Sequence, residues 1–384
     1  MKATNLSLIL LSTLSCDADC DYCFETKTAD SLTHEGLAQL IDKVLSHMDR
    51  QEIQTLMIYW QGGEVMTLPP SWYEQAGDII QHAAGRHHKQ VINYLQSNMM
   101  SYHAGWNRVI KEMFDNSVGS SLDFPNRHRR LVGGSPQDYN ALWFRNVQQA
   151  RQAGIEVAVI SIPNQATLEM GAEQFYAYFV EELGLTSFQI NTPFPGGRLS
   201  QAKKSFPLDN PQLSRFLLEL VEVWVARGYH QGISLGPFDE LIQYFWEGNA
   251  VLPCIWRDSC VNEFFCIDPR GYVSQCDCWV ASYPEFRFGN IFVSDSLTEL
   301  LANSAARRRL QARPGLLIQR EDCLECNYLA LCHGGCPIRA YSTTGNLQAL
   351  DPYCPTYKSL FAHLEQVAVR LAQSRRSPLQ SGSG

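Results

Sequence analysis

The sequence predicts an α/β fold with parallel strands, followed by a cysteine-rich domain. Two patterns indicate this organisation. The first two thirds of the chain alternate short apolar runs with amphipathic helical segments, which is typical of parallel sheets covered by helices. From about residue 240 the pattern changes to glycine turns, short strands and cysteines. We therefore expect a partial (β/α)6 TIM-type barrel over residues 1–238, a cysteine-rich domain over 239–374 and a disordered tail over 375–384.

Each strand–helix unit is identified from its periodicity. The predicted strands are Leu6–Leu11, Thr55–Trp60, Gln90–Gln96, Ser117–Leu122, Glu156–Ile162 and Ser187–Ile190. The predicted helices are Leu32–Met48, Ser71–Ala84, Ala104–Met113, Tyr139–Ala153, Ala172–Glu182 and Pro211–Arg227. A closed barrel of this type has eight such units, so the sequence predicts a partial barrel.

The composition excludes several classes of protein. Hydrophobic residues make up 45% of the 384 residues and charged residues 18%, a balance typical of globular proteins. The net charge of -8 argues against a nucleic-acid partner. No stretch reaches the length of apolar residues that a membrane span needs, so we expect no membrane partner.

The 13 cysteines fall into two groups, one before residue 24 and one after residue 253. An odd number in this distribution argues against a disulfide framework. Two separate metal-binding regions explain the distribution better. Free thiols in this number indicate a reducing compartment, so we expect a cytoplasmic protein.

The N-terminal group, Cys16, Cys20 and Cys23, follows the first predicted strand. Ligands of parallel α/β folds gather where strands end, and three thiolates can hold three irons of a four-iron cluster. The fourth iron then stays open to a substrate. Zinc is the alternative, although structural zinc sites have four ligands, and the nearest histidine, His34, lies in a predicted helix.

The spacing of this triplet, with Tyr22 before the third cysteine, resembles the signature of the radical S-adenosylmethionine superfamily. In that family a reduced [4Fe-4S] cluster splits S-adenosylmethionine into methionine and a 5′-deoxyadenosyl radical, which removes a hydrogen atom from the substrate. The resemblance therefore implies a radical-generating cluster at the triplet and S-adenosylmethionine as cofactor. It also implies an electron donor of the flavodoxin or ferredoxin type.

A second stretch, Gln61-Gly62-Gly63-Glu64, ends the second predicted strand and resembles the motif for the cofactor's amino group. Glycines let a backbone approach a ligand closely, and the carboxylate of Glu64 suits an ammonium group. A tight turn is the alternative explanation of two adjacent glycines.

Further positions at predicted strand ends resemble cofactor-binding residues of the family. They are Ser97, Asn98, Ser121, Asp123, Gln189 and Asn191, the last two where the adenine usually packs. Phe124 replaces the family's glycine after the aspartate. Arg130 is our candidate for the cofactor carboxylate, and a solvated basic patch over residues 127–130 is the alternative.

The C-terminal cysteines resemble the SPASM extension, in which eight cysteines hold two auxiliary four-iron clusters. The resemblance assigns Cys254, Cys260, Cys276 and Cys336 to the first auxiliary cluster and Cys323, Cys326, Cys332 and Cys354 to the second. Cys266 and Cys278 are left over, and either could replace Cys254 or Cys260. Four-cysteine sites also suit zinc, which is the alternative. With the N-terminal triplet, the expected total is three [4Fe-4S] clusters.

Within the superfamily the chain is similar to anaerobic sulfatase-maturating enzymes and ribosomal-peptide maturases, notably in the stretch Gly236–Leu241 and in Cys276-Asp277. The resemblance implies that Asp277 accepts a proton from the substrate. The alternative is that Asp277 caps a local turn, and Asp239 and Glu240 are then the next candidates.

The function that follows is oxidation or crosslinking of a side chain in a peptide or protein substrate. A radical dehydrogenase of a small molecule, such as an aminocyclitol, is the alternative. A non-catalytic iron–sulfur electron carrier is a third possibility, but a carrier has no need of the motif at Gln61–Glu64.

Overall fold

A computed structural model describes most of the chain in two compact units. The described residues are 5–193, 208–248, 250–257, 260–317 and 319–376. Of the described residues, the first unit comprises 5–159 and 260–313, and the second comprises 160–193, 208–257 and 314–376. These units follow packing rather than chain order, and the domain boundary near residue 238 stays a prediction. Residues 375 and 376 end the last helix, and the rest of the expected tail, 377–384, lies outside the described residues.

The secondary structure alternates as expected through the first two thirds of the chain. The strands are β1 (Asn5–Thr13), β2 (Thr55–Gly62), β3 (Gln90–Leu95), β4 (Ser117–Ser121), β5 (Glu156–Ser161), β6 (Ser187–Ile190), β7 (Ser234–Gly236), β8 (Phe264–Ile267), β9 (Tyr272–Ser274) and β10 (Gly289–Asn290). The α-helices are α1 (His34–Gln51), α2 (Pro70–His87), α3 (Asn107–Met113), α4 (Pro136–Gln152), α5 (Gln165–Met170), α6 (Ala172–Tyr176), α7 (Asn210–Arg227), α8 (Phe238–Glu247), α9 (Cys260–Glu263), α10 (Asp277–Ser282), α11 (Leu297–Asn303), α12 (Ala305–Leu317), α13 (Glu321–Leu324), α14 (Leu329–Cys332), α15 (Pro337–Thr344) and α16 (Cys354–Arg376).

The first unit is built on a six-stranded sheet in the order β10-β9-β8-β1-β2-β3. Strand β1 pairs in parallel with both β2 and β8, and β2 pairs in parallel with β3. Strand β9 is antiparallel to both of its neighbours, β8 and β10. The α/β fold with parallel strands is therefore confirmed. The sequence indicated short strands after residue 240, but not that one of them extends the sheet beside β1.

Strand β1 is central because its side chains are apolar on both faces. Leu8, Leu10 and Leu11 are fully buried, which is the pattern of a parallel strand covered on both sides. Helix α1 packs its apolar stripe inward. Its N-cap is Thr33, whose hydroxyl accepts a hydrogen bond from Gly36 N at 3.0 Å. The carboxyl end of β1 leads directly into the loop that contains Cys16.

In the second unit, β6 pairs in parallel with β7, and the long helix α16 packs against α7 and α8. An aromatic cluster joins α16 to the short turn at Cys254–Trp256. The ring of Trp256 lies 5.4 Å from that of Tyr357 and 5.1 Å from that of Phe361, measured between centroids. Such edge-to-face contacts fix the turn against the helix.

Some helix boundaries differ from the prediction. Helix α4 begins at Pro136 rather than Tyr139, because Ser135 and Asp138 form a reciprocal capping box. The predicted helix Ala172–Glu182 divides into α6 and a π-helical segment, Ala177–Glu182. Within the described residues, no helix combines the length and the apolarity that crossing a membrane requires.

Candidate metal and cofactor sites

The loop of Cys16, Cys20 and Cys23 is held by backbone hydrogen bonds. Cys23 N donates to Cys20 O at 3.1 Å, and Asp19 N donates to Arg130 O at 2.8 Å. Ala18 N donates to the Cys16 sulfur at 3.4 Å. Amide donors of this kind favour a thiolate, the form that binds iron.

Burial shifts the pKa values of the ionisable groups in this loop. Burial raises the pKa of Cys16 to about 12 and that of Cys23 to about 11. Burial lowers the pKa of Lys27, but the thiols of Cys23 and Cys16 and the carboxylate of Asp19 raise it overall. Because burial raises their pKa values, the thiols of Cys16 and Cys23 keep their protons until a metal replaces them.

The two glycines after β2 bring that strand end against the cysteine loop. Gly63 N donates to Thr13 O at 2.9 Å, and Glu64 N donates to Ser15 O at 2.7 Å. A Cβ atom on Gly63 would lie 2.2 Å from Ser15 O, and one on Gly62, at φ +140°, would lie 2.5 Å from Thr13 O. The glycines are thus required for contact between two chain segments, in addition to any approach to a ligand.

Glu64 is buried beside two other predicted cofactor residues. Its Oε1 accepts from Ser97 Oγ at 2.6 Å and from Met66 N at 3.0 Å, and its Oε2 accepts from Asn98 N at 2.7 Å. Asn98 also donates to Asp17 Oδ1 at 2.7 Å. Burial, together with the charge of Asp17, raises the pKa of Glu64 to about 7. The structure therefore brings Glu64, Ser97 and Asn98 into direct contact, with Asp17 beside them.

Tyr22 and Asp123 also meet, in a buried pair with Arg129. Tyr22 OH donates to Asp123 Oδ2 at 2.5 Å, and Arg129 Nε lies 3.1 Å from the same oxygen. The arginine chosen from the sequence, Arg130, instead donates to Asp21 at 2.7 Å, and its side chain is 33% exposed. Sequence reasoning missed Arg129, because nothing in a run of basic residues distinguishes the buried one.

Ser121, another of the predicted cofactor-binding residues, accepts a hydrogen bond from the side chain of Gln96 at 3.2 Å.

Asp277 is joined to the motif at the end of β2. Gln61 Nε2 donates to Asp277 Oδ2 at 2.9 Å, and Cys278 N donates to Asp277 Oδ1 at 2.9 Å. Burial raises the pKa of Asp277. One oxygen therefore serves the local turn and the other faces Gln61. The sulfurs of Cys276 and Cys278 and an oxygen of Asp277 all lie within 4.8 Å of one another.

The cysteines near this point have different surroundings. The sulfur of Cys260 accepts a hydrogen bond from Gln275 Nε2 at 2.7 Å. Cys266 lies in β8 and is fully buried against Leu11, Leu14 and Val280. Because Cys266 occupies an apolar core position, we interpret it as a packing residue and not as a cluster ligand.

Four predicted ligands of the second auxiliary cluster line a single cavity. They are Cys323, Cys326, Cys332 and Cys354. Burial raises the pKa of Cys332 to about 12. Gly335 is at φ +73°, and a Cβ atom there would lie 2.5 Å from the Asp351 side chain, which lines the same cavity. Four thiols that line one cavity fit a four-iron cluster, and this donor set also suits zinc.

Predicted adenine-side residues lie in the second unit near a buried carboxyl. Gln189 Nε2 donates to Asn191 Oδ1 at 3.4 Å, and a Cβ atom on Gly236 would lie 2.6 Å from Gln189 Oε1 and 3.3 Å from Glu240 Oε1. Among the described residues, Glu240 Oε2 is buried without a hydrogen-bond partner. Burial, with the neighbouring Asp239, raises the pKa of Glu240 to about 8.

Gly63→Ala is expected to lower the free energy of unfolding by about 1–3 kcal/mol, because the new methyl group overlaps Ser15 O. Gly85→Ala in helix α2 is the control, since a Cβ atom there meets nothing within 4 Å and should stabilise by about 0.5–1 kcal/mol. Urea unfolding of both variants measures the difference. Equal stability of the two would contradict the close approach of these segments.

Glu240→Gln is expected to reduce the loss of stability between pH 5 and pH 8. The folded carboxyl, with its pKa of about 8, keeps a proton that the unfolded chain releases near pH 4.3, so stability falls as the pH rises through this range. The amide cannot ionise and removes this loss. Unfolding midpoints at both pH values measure it, with Glu247→Gln, exposed on the same helix, as control. Identical pH dependence in all three proteins would show that Glu240 is not buried as described.

Known proteins resemble the chain along almost all of its length, although no known family profile matches it. A serine-type anaerobic sulfatase-maturating enzyme of Bacteroides thetaiotaomicron is 23% identical, over 91% of this chain and 86% of the relative. A cysteine-type enzyme of Clostridium perfringens is also 23% identical, over 93% and 96%.

Solved structures show the same fold. Native anSMEcpe with bound AdoMet and Cp18Cys peptide has a TM-score of 0.80 at 21% identity, over 96% of this chain and 99% of that one. Streptococcus suis SuiB bound to the precursor peptide SuiA has a TM-score of 0.59 at 14% identity, over 90% and 74%. The resemblance seen in the sequence is confirmed: over more than nine tenths of its length the chain is similar to anaerobic sulfatase-maturating enzymes, which are radical S-adenosylmethionine enzymes with a SPASM domain.

Proposed function

We propose that the protein oxidises a side chain of a peptide or protein substrate, using S-adenosylmethionine and three [4Fe-4S] clusters. The observation that carries this proposal is the hydrogen bond between Gln61 and Asp277. It joins the predicted cofactor motif at the end of β2 to the residue that follows a predicted auxiliary ligand, Cys276. A proton acceptor is thus held beside the place where the radical chemistry is expected.

The relatives support this class of substrate. Two of them are named as serine-type and cysteine-type sulfatase-maturating enzymes, and two solved structures contain peptides. Because both types are 23% identical to this chain, the comparison favours neither serine nor cysteine as the oxidised residue. Oxidation of one side chain fits these relatives better than crosslinking.

When bound, the cluster at the N-terminal triplet and its cofactor supply the hydrogen-atom abstraction. The buried cluster of Glu64, Ser97 and Asn98 offers the carboxylate and hydrogen bonds that a cofactor ammonium group needs. Completing a two-electron oxidation then requires one electron and one proton to leave the substrate. Gln61 orients Asp277, which receives the proton, and the auxiliary sites are the proposed electron acceptors.

The remaining parts of the proposal follow from the thiols. The structure shows all 13 cysteines as free. From them we infer a reducing, cytoplasmic setting. We infer an electron donor of the flavodoxin or ferredoxin type from the resemblance, because the radical-generating cluster must be reduced before it reacts.

The anaerobically reconstituted protein is expected to bind about twelve irons, four per cluster. Replacing Cys16, Cys20 and Cys23 together by Ala should remove about a third of the iron and abolish formation of 5′-deoxyadenosine from S-adenosylmethionine with a strong reductant. Replacing Cys323, Cys326, Cys332 and Cys354 by Ala should remove another third. Iron analysis and chromatography measure these outcomes. Cys266→Ala is the matched control and should keep all the iron. Stoichiometric zinc in place of iron in the reconstituted protein would contradict the proposal.

Asp277→Asn is expected to uncouple the reaction, because the amide keeps the size of the side chain but cannot accept the proton. The variant should still bind its iron and form 5′-deoxyadenosine. Oxidised product per deoxyadenosine should fall by about a hundredfold or more. Mass spectrometry of synthetic peptides that present serine or cysteine measures the ratio.

The exposed Asp295→Asn, which makes the same chemical change outside the site, serves as control. An unchanged ratio in the Asp277 variant would make Asp277 a turn residue only.

A further inference from the structure

Arg339 is a buried cation in the second unit, three residues after Cys336. Cys336 precedes helix α15, so Arg339 lies in the first turn of that helix, and it is only 5% exposed. Its guanidinium donates to the hydroxyl of Tyr357 and, at 3.3 Å, to Thr192 O. Tyr357 and Thr192 are themselves joined through their hydroxyl groups at 2.7 Å. These contacts fix the charge in one position.

The partners of the fixed charge lead to predicted cluster ligands. Tyr357 lines the four-cysteine cavity. Asp351 lines the same cavity and accepts a hydrogen bond from Cys336 N at 3.1 Å. The turn that begins at Cys254 packs on Tyr357 through Trp256. Arg339 is therefore connected through side chains to the cavity and through the helix to Cys336.

The surroundings keep Arg339 charged. Burial lowers the pKa of its guanidinium, but Tyr357, Asp351 and the thiols of Cys336 and Cys254 raise it overall. A buried cation is costly unless negative charge lies nearby. Iron–sulfur clusters bound by thiolates carry net negative charge, which increases on reduction, and nearby charge is one of the factors that set their reduction potential.

We propose that the buried positive charge of Arg339 stabilises the clusters bound by the neighbouring cysteines and raises their reduction potentials. Arg339 is then a positioning residue for electron acceptance, since it touches neither substrate nor cofactor. The inference rests on the proposed function only in requiring that these cysteines bind iron–sulfur clusters.

The test uses full-length protein in which Cys16, Cys20 and Cys23 are replaced by Ala, so that only auxiliary clusters contribute. In this background, Arg339→Met and Arg339→Gln remove the charge and Arg339→Lys keeps it. Iron content and a potentiometric titration followed by electron paramagnetic resonance are measured. Arg370→Met is the matched control, because it removes an exposed charge from the same unit.

In the neutral variants, the ratio of oxidised to reduced form of at least one auxiliary cluster is expected to rise about tenfold at a given potential. This corresponds to a reduction potential lower by about 59 mV for one electron. Arg339→Lys and Arg370→Met should shift much less. Loss of auxiliary iron from both neutral variants, with iron retained by Arg339→Lys, also supports the proposal, because the charge is then needed for binding itself.

Three results would overturn the proposal: unchanged potentials at full iron content, an equal shift in Arg339→Lys and Arg339→Met, or loss of iron from the lysine variant as well. Absence of iron from the background protein, before any change at Arg339, would instead count against the proposed function.

Discussion

Two backbone hydrogen bonds hold the N-terminal site together: Gly63 N to Thr13 O and Glu64 N to Ser15 O. They join the end of β2 to the chain just before Cys16, and only glycine leaves room for so close an approach. Everything proposed for this site depends on that approach, because it sets Glu64 and the cysteine loop side by side. Gln61, on the same strand end, then reaches Asp277.

The N-terminal site contains three acidic side chains: Glu64 and Asp123 are buried, and Asp17 is half-buried. Glu64 and Asp17 are linked through Asn98, and Tyr22 and Arg129 share Asp123. Burying carboxyl groups costs free energy unless hydrogen bonds or cations compensate. The described network supplies many of these partners, and a cofactor ammonium group would add another. A site organised in this way is prepared for a cationic ligand rather than an anionic one.

Much of this arrangement could be read from the sequence. Periodicity identified the strands β1 to β6 and spacing identified the cysteine loop, because both are local properties. The four cysteines that line one cavity were grouped by the resemblance to the SPASM extension. Arg129 could not be distinguished from Arg130, since the difference lies in which side chain turns inward to Asp123. The pairing of β8 with β1 is equally non-local, and Cys266 gave no sign that it belongs to the core rather than to a ligand set. Roles of individual site residues depend on bound groups, and they stay predictions.

The position of β1 between β2 and β8 also constrains when the protein can fold. Leu10 pairs with Ile267, so one edge of β1 can form its hydrogen bonds only after the segment that contains β8 has been synthesised. At ribosomal rates this delay is on the order of ten to fifty seconds. During that time an apolar strand edge and three thiols are open to aggregation and oxidation. Because its two partners lie so far apart in the sequence, this pairing is expected to be among the last contacts of the sheet to form.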